Sequence, residues 1–328
     1  MSFVKWLRMS TISAAVAFAG IASAEPLKLA TMAPEGSVWH SQMMKFVDAL
    51  RASGLEVDVF ASGQLGNMPD TLKSTLAGRI DIWTGASVVL SAVAPELALF
   101  NLPYLFDSAD QAKCVIPKMY GMGRQVAGEK FTFLAFSAIA GQDVFGTKPI
   151  RLPSDLKGEK TRIAPIPASV AFFSAMGAAP QSLPAFESAS AVSTGLVKVL
   201  EFDIIYYLLA GVNRGAAYMT QTDHNHNFGA YIMSPRTWAR LDDAQKAAVQ
   251  AAAEKIDFGA NWDEVEAFER TMLEKAKASG TVEIVLTPEE KAQWVDVGRS
   301  VWDQVINETR GDPKGFLAAL EEARTSCK

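Results

Sequence analysis

Apolar positions recur along this chain with a period that changes from segment to segment, and each change marks an expected element. Residues 27–32 are a short apolar run that reads as a strand, and 39–52 carries a helical pattern stopped by Gly54. Residues 55–60 alternate apolar and polar, as a half-buried strand does. A glycine-bearing loop, 61–70, leads through Pro69 into a second helix that ends near Gly78, and 80–83 is the next strand. This β-α-β-α-β order implies a largely parallel sheet. Its ligand crevice belongs at the carboxyl ends of the strands, where loops 34–39, 62–67 and 84–87 emerge.

A strand at 131–138 leaves this first unit, and Gly146 with Lys148-Pro149 marks a turn into a second. There RLPSDLKG reads as a turn and short helix, KTRIA as a strand carrying Arg162, and Pro165 and Pro167 as its end. Ser169 is positioned to cap the helix that follows, with Gly177 as terminator. Residues 187–195 look helical, 196–202 strand-like, and 204–209 are apolar and aromatic. Segments 217–220 and 230–233 flank a polar stretch, QTDHNHNFG, which reads as a crossing back to the first unit. Residues 241–279 give the longest helical signal, with Gly259 and Asn261 as bending points; unbroken, it would be roughly 58 Å long and would cross both units. A strand at 282–286, a capping box at Thr287-Pro288-Glu289-Glu290, and a helix begun by Asp312-Pro313 complete the chain.

A chain of 328 residues is long for one core and short for three, so two lobes are expected. The path gives 25–138 plus 228–267 as lobe I and 139–227 plus 268–328 as lobe II. Residues 1–24 stand apart: Lys5 and Arg8, an apolar run, then Ala22-Ser23-Ala24 have the order of a cleaved secretory signal. Its removal takes the net charge from −5 to −7, because it carries two positive charges and no negative one. An acidic mature chain argues against nucleic acid and anionic membrane surfaces as partners. Cys114 and Cys327 would meet a compartment that permits disulfides. Paired, they tie the C-terminus to the first lobe; unpaired, they are two thiols.

Candidate chemistry is sparse. GQLG at 63–66 is no dinucleotide loop, no G-K-[ST] occurs, and neither G-x-S-x-G nor H-E-x-x-H is present, so neither a nucleotide cofactor nor catalysis is expected. His224, His226 and Asp223 are the one cluster resembling metal ligands, but two histidines in a loop without a nearby cysteine favour a hydrogen-bonding role between lobes. From pattern Arg162 reads first as a surface arginine beside Glu159, and alternatively as a fork receiving a carboxylate. Pattern alone does not separate the two.

Several motifs together do. LKGEKTR at 156–162, GQLG at 63–66, NLPYLF at 101–106, MGAAP with its following LP at 176–184, and TGLV at 194–197 resemble, in order and spacing, substrate-binding subunits of tripartite ATP-independent periplasmic (TRAP) transporters of the dicarboxylate-binding type. The resemblance covers most of the mature chain. It implies an α/β, periplasmic-binding-protein-like clamshell with mainly parallel sheets and a long helix spanning both lobes. It further implies a periplasmic monomer that captures a small organic anion and delivers it to integral-membrane partners. The binding protein of an ATP-driven importer, a clamshell enzyme and the ligand-presenting partner of a membrane sensor are the rival readings.

The family's carboxylate-gripping arginine falls on Arg162. Sialic-acid-type members carry a further arginine upstream, where Gln142 stands here; Lys198-Val199 replaces a common Asp-Gly, and Phe202-Asp203 a common Asn-Pro. Trp39, Phe202 and Tyr206 are the aromatic candidates for the pocket, with Tyr207 assigned to the core, and Asp203 either reads a ligand hydroxyl or amine or caps a turn. One cation with aromatic company fits a monocarboxylate with an apolar body as readily as a dicarboxylate.

Overall fold

The computed structural model describes residues 25–327. The expected leader, 1–24, lies outside the described residues. Among the described residues nine strands form one sheet: β1 (Leu27–Thr31), β2 (Val57–Phe60), β3 (Ile82–Ala86), β4 (Thr132–Gly146), β5 (Lys160–Ile163), β6 (Ala179–Ser182), β7 (Val199–Phe202), β8 (Tyr218–Met233) and β9 (Val282–Ile284). Their order is β2-β1-β3-β8-β4-β7-β5-β6, with β9 beside β8. Pairings toward the two ends are parallel (β1 with β2 and β3, β5 with β6 and β7), as the strand-helix alternation predicts. The central pairings, β3 with β8, β8 with β4 and β4 with β7, are antiparallel.

The centre departs most from the sequence reading. Residues 131–138 are only the first half of β4, which runs on to Gly146. The polar stretch expected to cross as a loop is itself the middle of β8. Its side chains broke the apolar pattern, but the structure satisfies them: Thr222 and His224 bond each other at 2.8 Å, and Asn225 donates to the Asn101 carbonyl at 3.0 Å. Through β8, the first half of β4 lies beside β3; its second half lies beside β7. The two lobes therefore share two continuous strands. The β4–β8 ladder shifts register at Phe133/Ala135, Ala138/Ala140 and Gln142/Val144, and Asp223 opposite the last shift takes φ +42°, strained for a non-glycine residue.

The single long helix is corrected to two, Asp243–Glu254 and Phe258–Ala278, separated at 255–257. Neither Gly259 nor Asn261 makes the break. Asp257 does, turning its carboxylate onto the Ala260 N–H at 3.0 Å as an N-cap, a role aspartate takes far more readily than a helix-interior one. The second piece, roughly 32 Å long, still packs against helix Val38–Ala52, β4 and helix Ile204–Leu209, elements from both halves of the sheet. Ser169 is likewise no cap: its helix, Pro167–Ala175, starts earlier, and Ser169 is buried inside it, donating to Glu201 Oε1 at 2.7 Å. Helices Ala109–Lys118 and Tyr120–Ala127 fall in a stretch the periodicity left unassigned. The capping box at Thr287 and the helix Pro313–Thr325 form as expected.

The buried apolar residues form two clusters: the larger runs along the central sheet with Phe100, Phe136, Phe228 and Phe316 in edge-to-face contact, and a second gathers Leu29, Phe46, Ile82, Tyr231 and Val249 beside the first strands. Cys114 and Cys327 are disulfide-bonded, tying the C-terminal helix to Ala109–Lys118.

Candidate functional site

Arg162 lies on β5 with its Cα paired to Leu200 of β7, so its side chain emerges near the carboxyl ends of these parallel strands. It is only 6% exposed. Nε donates to the Leu183 carbonyl at 3.1 Å and Nη1 to the Glu201 carbonyl at 2.8 Å, while the guanidinium carbon sits 4.1 Å from the centre of the Phe202 ring. No carboxylate pairs with it among the described residues, so the surface pairing with Glu159 is absent; Glu159 binds Lys148 instead. Nη2 makes no hydrogen bond among the described residues and is not sealed from solvent. Burial lowers the guanidinium pKa to about 10, with Glu201 and then Asp203 opposing that shift, and it remains a cation at neutral pH. The group is thus held in place by neutral carbonyls and a ring, with donors to spare.

Phe202 is buried under that guanidinium and closes β7. Asp203 follows as the N-cap of helix Ile204–Leu209, accepting from the Tyr206 N–H at 2.7 Å. Of the two roles open to Asp203, capping is the one the structure displays. Burial lifts its pKa to about 6, against backbone hydrogen bonds and Arg162, which lower it. Tyr206 stacks on Trp39 of helix Val38–Ala52, with centroids 5.3 Å apart and planes 22° off parallel, and Trp39 Nε1 donates to the Ile139 carbonyl at 2.9 Å. Ile139 is the extra residue at one register shift, which leaves its carbonyl available. Tyr207, by contrast, is fully buried, stacked on Phe145.

The structure thus groups Arg162, Phe202 and Asp203, and joins Trp39 to Tyr206 three residues further on. Gln142 stands apart: it is paired with Asn225 across the β4–β8 ladder and makes no side-chain hydrogen bond to the others. A surface groove of about 600 Å³, lined by Tyr120, Arg124, Phe133, Trp238 and Glu254 among others, contains none of these residues.

The sequence reading passed over three acids. Glu201 points to the opposite side from Phe202, accepting from Ser169 and sitting 3.2 Å from His224 Nε2; this buried network lies directly behind the carbonyl that holds Arg162. His224 therefore acts as a hydrogen-bonding residue, and among the described residues no group of three or more His, Cys, Asp or Glu side chains is placed to hold a metal. Asp143, half-buried, accepts from the Asp223 N–H at 2.8 Å; burial and Asp223 push its pKa up to about 7. Glu269, from the helix that packs on both lobes, accepts from the Gly141 N–H at 3.0 Å, and burial raises it to about 8, with Asp203, Asp143 and Asp223 adding to the rise. Glu269 had a legible signal: it falls in the inward stripe of Trp262, Val265, Met272 and Ala276, where an apolar residue is expected.

Two lobes on a shared hinge sheet, with a buried cation at the strand ends, define a clamshell binding protein. The chain belongs to the bacterial extracellular solute-binding protein family 7, whose model matches residues 29–309. It is 31% identical over 259 residues to a solute-binding protein of Roseobacter denitrificans, an alignment covering 76% of this chain and 79% of that one. It is 26% identical over 256 residues to the C4-dicarboxylate-binding periplasmic protein DctP of Rhodobacter capsulatus, covering 76% of each. In structure it resembles the periplasmic ectoine-binding protein of the TeaABC TRAP transporter of Halomonas elongata, with TM-score 0.86 and 20% identity over 92% of this chain and all (100%) of that one.

Proposed function

We propose that this protein is the periplasmic receptor of a tripartite ATP-independent transporter. It captures a small organic acid by its carboxylate, releases it to integral-membrane partners, and performs no chemistry on it. The observation that carries the reading is the buried Arg162 guanidinium, held by two backbone carbonyls and a ring, with Nη2 left free. A carboxylate supplies the planar pair of acceptors that such a fork lacks, and in a water-poor cleft that pairing is stronger than at a surface. The dicarboxylate-binding relative supports this ligand class.

The lobes of this receptor are 25–138 plus 228–267 and 139–227 plus 268–328. Of their three internal crossing points, two, at 138/139 and 227/228, meet on one rung of the ladder, where Ala138 pairs with Phe228, and the third, at 267/268, falls within helix Phe258–Ala278. Closure about that rung carries Trp39 with lobe I and Arg162, Phe202, Asp203 and Tyr206 with lobe II. Thermal-shift screening against organic acids tests the ligand class. An acid at a hundredfold excess over its Kd stabilises by about 2.7 kcal/mol; if only uncharged sugars shift the melt, the carboxylate assignment fails.

A further inference from the structure

Around the strands that join the lobes, acids outnumber bases. Gly141 of β4 is flanked by two of them: a methyl carbon placed there would lie 3.4 Å from Asp223 Oδ1 and 3.9 Å from Glu269 Oε1. Asp143 is two residues along, its Cα paired with Phe202, the ring beneath Arg162. Asp203 follows Phe202 and is the acid with the largest electrostatic effect on Glu269. The cations facing this group are Arg162, toward Asp203, and Lys291, which donates to the Thr222 carbonyl and lies toward Asp223 and Asp143. His226 pairs loosely with Asp223 at 3.5 Å.

Each of three acids spends one oxygen on a backbone N–H: Asp143 on Asp223, Asp203 on Tyr206, and Glu269 on Gly141. Glu269 Oε2 takes no hydrogen bond among the described residues and is not sealed from solvent. Arg162 Nη2, on a side chain more than nine-tenths buried, is free in the same sense. Arg162 therefore offers a free donor, and Glu269 a free acceptor with Asp203 and Asp143 acting on it. The stacked rings of Trp39 and Tyr206 lie beside Asp203, where aromatic faces suit a cation.

Building on the carboxylate reading of Arg162, we propose that the ligand is a zwitterion, an amino acid or betaine-like molecule whose carboxylate meets Arg162 and whose cationic group meets Glu269 and Asp203. A second carboxylate at that end would face like charge, which disfavours dicarboxylates. The raised pKa values support this placement: acids kept partly protonated by one another and by burial are relieved by an incoming cation, and the relief is released as protons.

The test is a thermal-shift panel of amino acids, N-methylated amino acids, plain aliphatic monocarboxylates and dicarboxylates at pH 7, with calorimetry on the strongest hit. That calorimetry is run in two buffers of different ionisation enthalpy. The expected hits carry a cationic group, and their binding releases protons. Glu269→Gln keeps the acceptor oxygen for Gly141, so the fold is retained while the charge is lost; it should weaken the hit by roughly ten- to hundredfold, the worth of a charge-assisted hydrogen bond. Asp143→Asn provides a second variant with a smaller expected loss. If the strongest hits are dicarboxylates or plain acids, bind with proton uptake, or are indifferent to Glu269→Gln, the zwitterion proposal is overturned and the acids are braces of the hinge alone. Arg162→Met separates the two levels: loss of those same acids in this variant leaves the carboxylate anchor standing, whereas a panel in which no carboxylate of any kind binds removes both.

Discussion

Trp39 on helix Val38–Ala52 and Tyr206 on helix Ile204–Leu209 stack with ring centres 5.3 Å apart, and the Trp39 indole N–H reaches the Ile139 carbonyl of β4. This pair fastens the N-terminal helix to the helix that Asp203 caps. Aromatic pairs of this kind contribute about 0.5–1.5 kcal/mol beyond the area they bury. Trp39→Phe retains a ring and loses the N–H bond, so ligand affinity by calorimetry should fall by about fivefold, the equivalent of one ordinary hydrogen bond. Unchanged affinity would mean that the stack plays no part in closure.

Arg162→Ala should weaken the ligand by about 2–5 kcal/mol, because the bound carboxylate is left buried without its partner. Arg162→Lys should recover only part of that loss, since an ammonium cannot engage two carbonyls and a planar anion at once. Equal affinities for wild type and Arg162→Ala would move the anchor elsewhere.

Stability of the unliganded protein should fall as pH rises from about 4 to 8. Asp203, Asp143 and Glu269 have folded-state pKa values raised to about 6, about 7 and about 8. In this window the folded chain therefore holds protons that the unfolded chain has lost. The stability they contribute is complete below the unfolded carboxylate pKa and disappears as pH passes the folded values. Urea midpoints across this range check the direction, and the double variant Asp143→Asn/Glu269→Gln should flatten the slope. A midpoint that climbs between pH 5 and pH 8 contradicts the assignment.

Reducing the Cys114–Cys327 bond, which closes a separation of 213 residues, should lower unfolding free energy by about 2–5 kcal/mol. Cys114→Ser/Cys327→Ser should match the reduced protein and leave ligand affinity intact, because neither cysteine touches the cleft groups. A loss of affinity in that variant would tie the C-terminal helix to closure.

The outer parts of the fold were open to reading because local rules govern them. Strands β1 and β2 and the Thr287 capping box form where period and caps placed them, while β3 runs on through Ala86, into residues read as a loop. The central sheet was not, because β8 buries Thr222, His224 and Asn225 against partners remote in sequence. Asp257 cut the long helix for the opposite reason, a local cap overriding a periodic pattern that runs through it. At the site, Arg162 rested on motif resemblance, since its holding carbonyls belong to residues 183 and 201. Glu269 and Asp143 went unseen although one sits in an apolar stripe, because the groups that give them meaning arrive from other elements.

The continuity of β4 and β8 through the meeting of the lobes has a mechanical consequence. A receptor whose halves hang on separate loops swings freely; one whose halves grow from the same two strands must flex a hydrogen-bonded ladder to open. The register shifts at Ala138/Ala140 and Gln142/Val144 are where that ladder yields most easily. Small-angle scattering should accordingly report one preferred unliganded shape that contracts on binding, rather than a broad spread of openings. In a hinge of that kind, bending the ladder on closure costs free energy that is returned when the lobes part, as in a leaf spring.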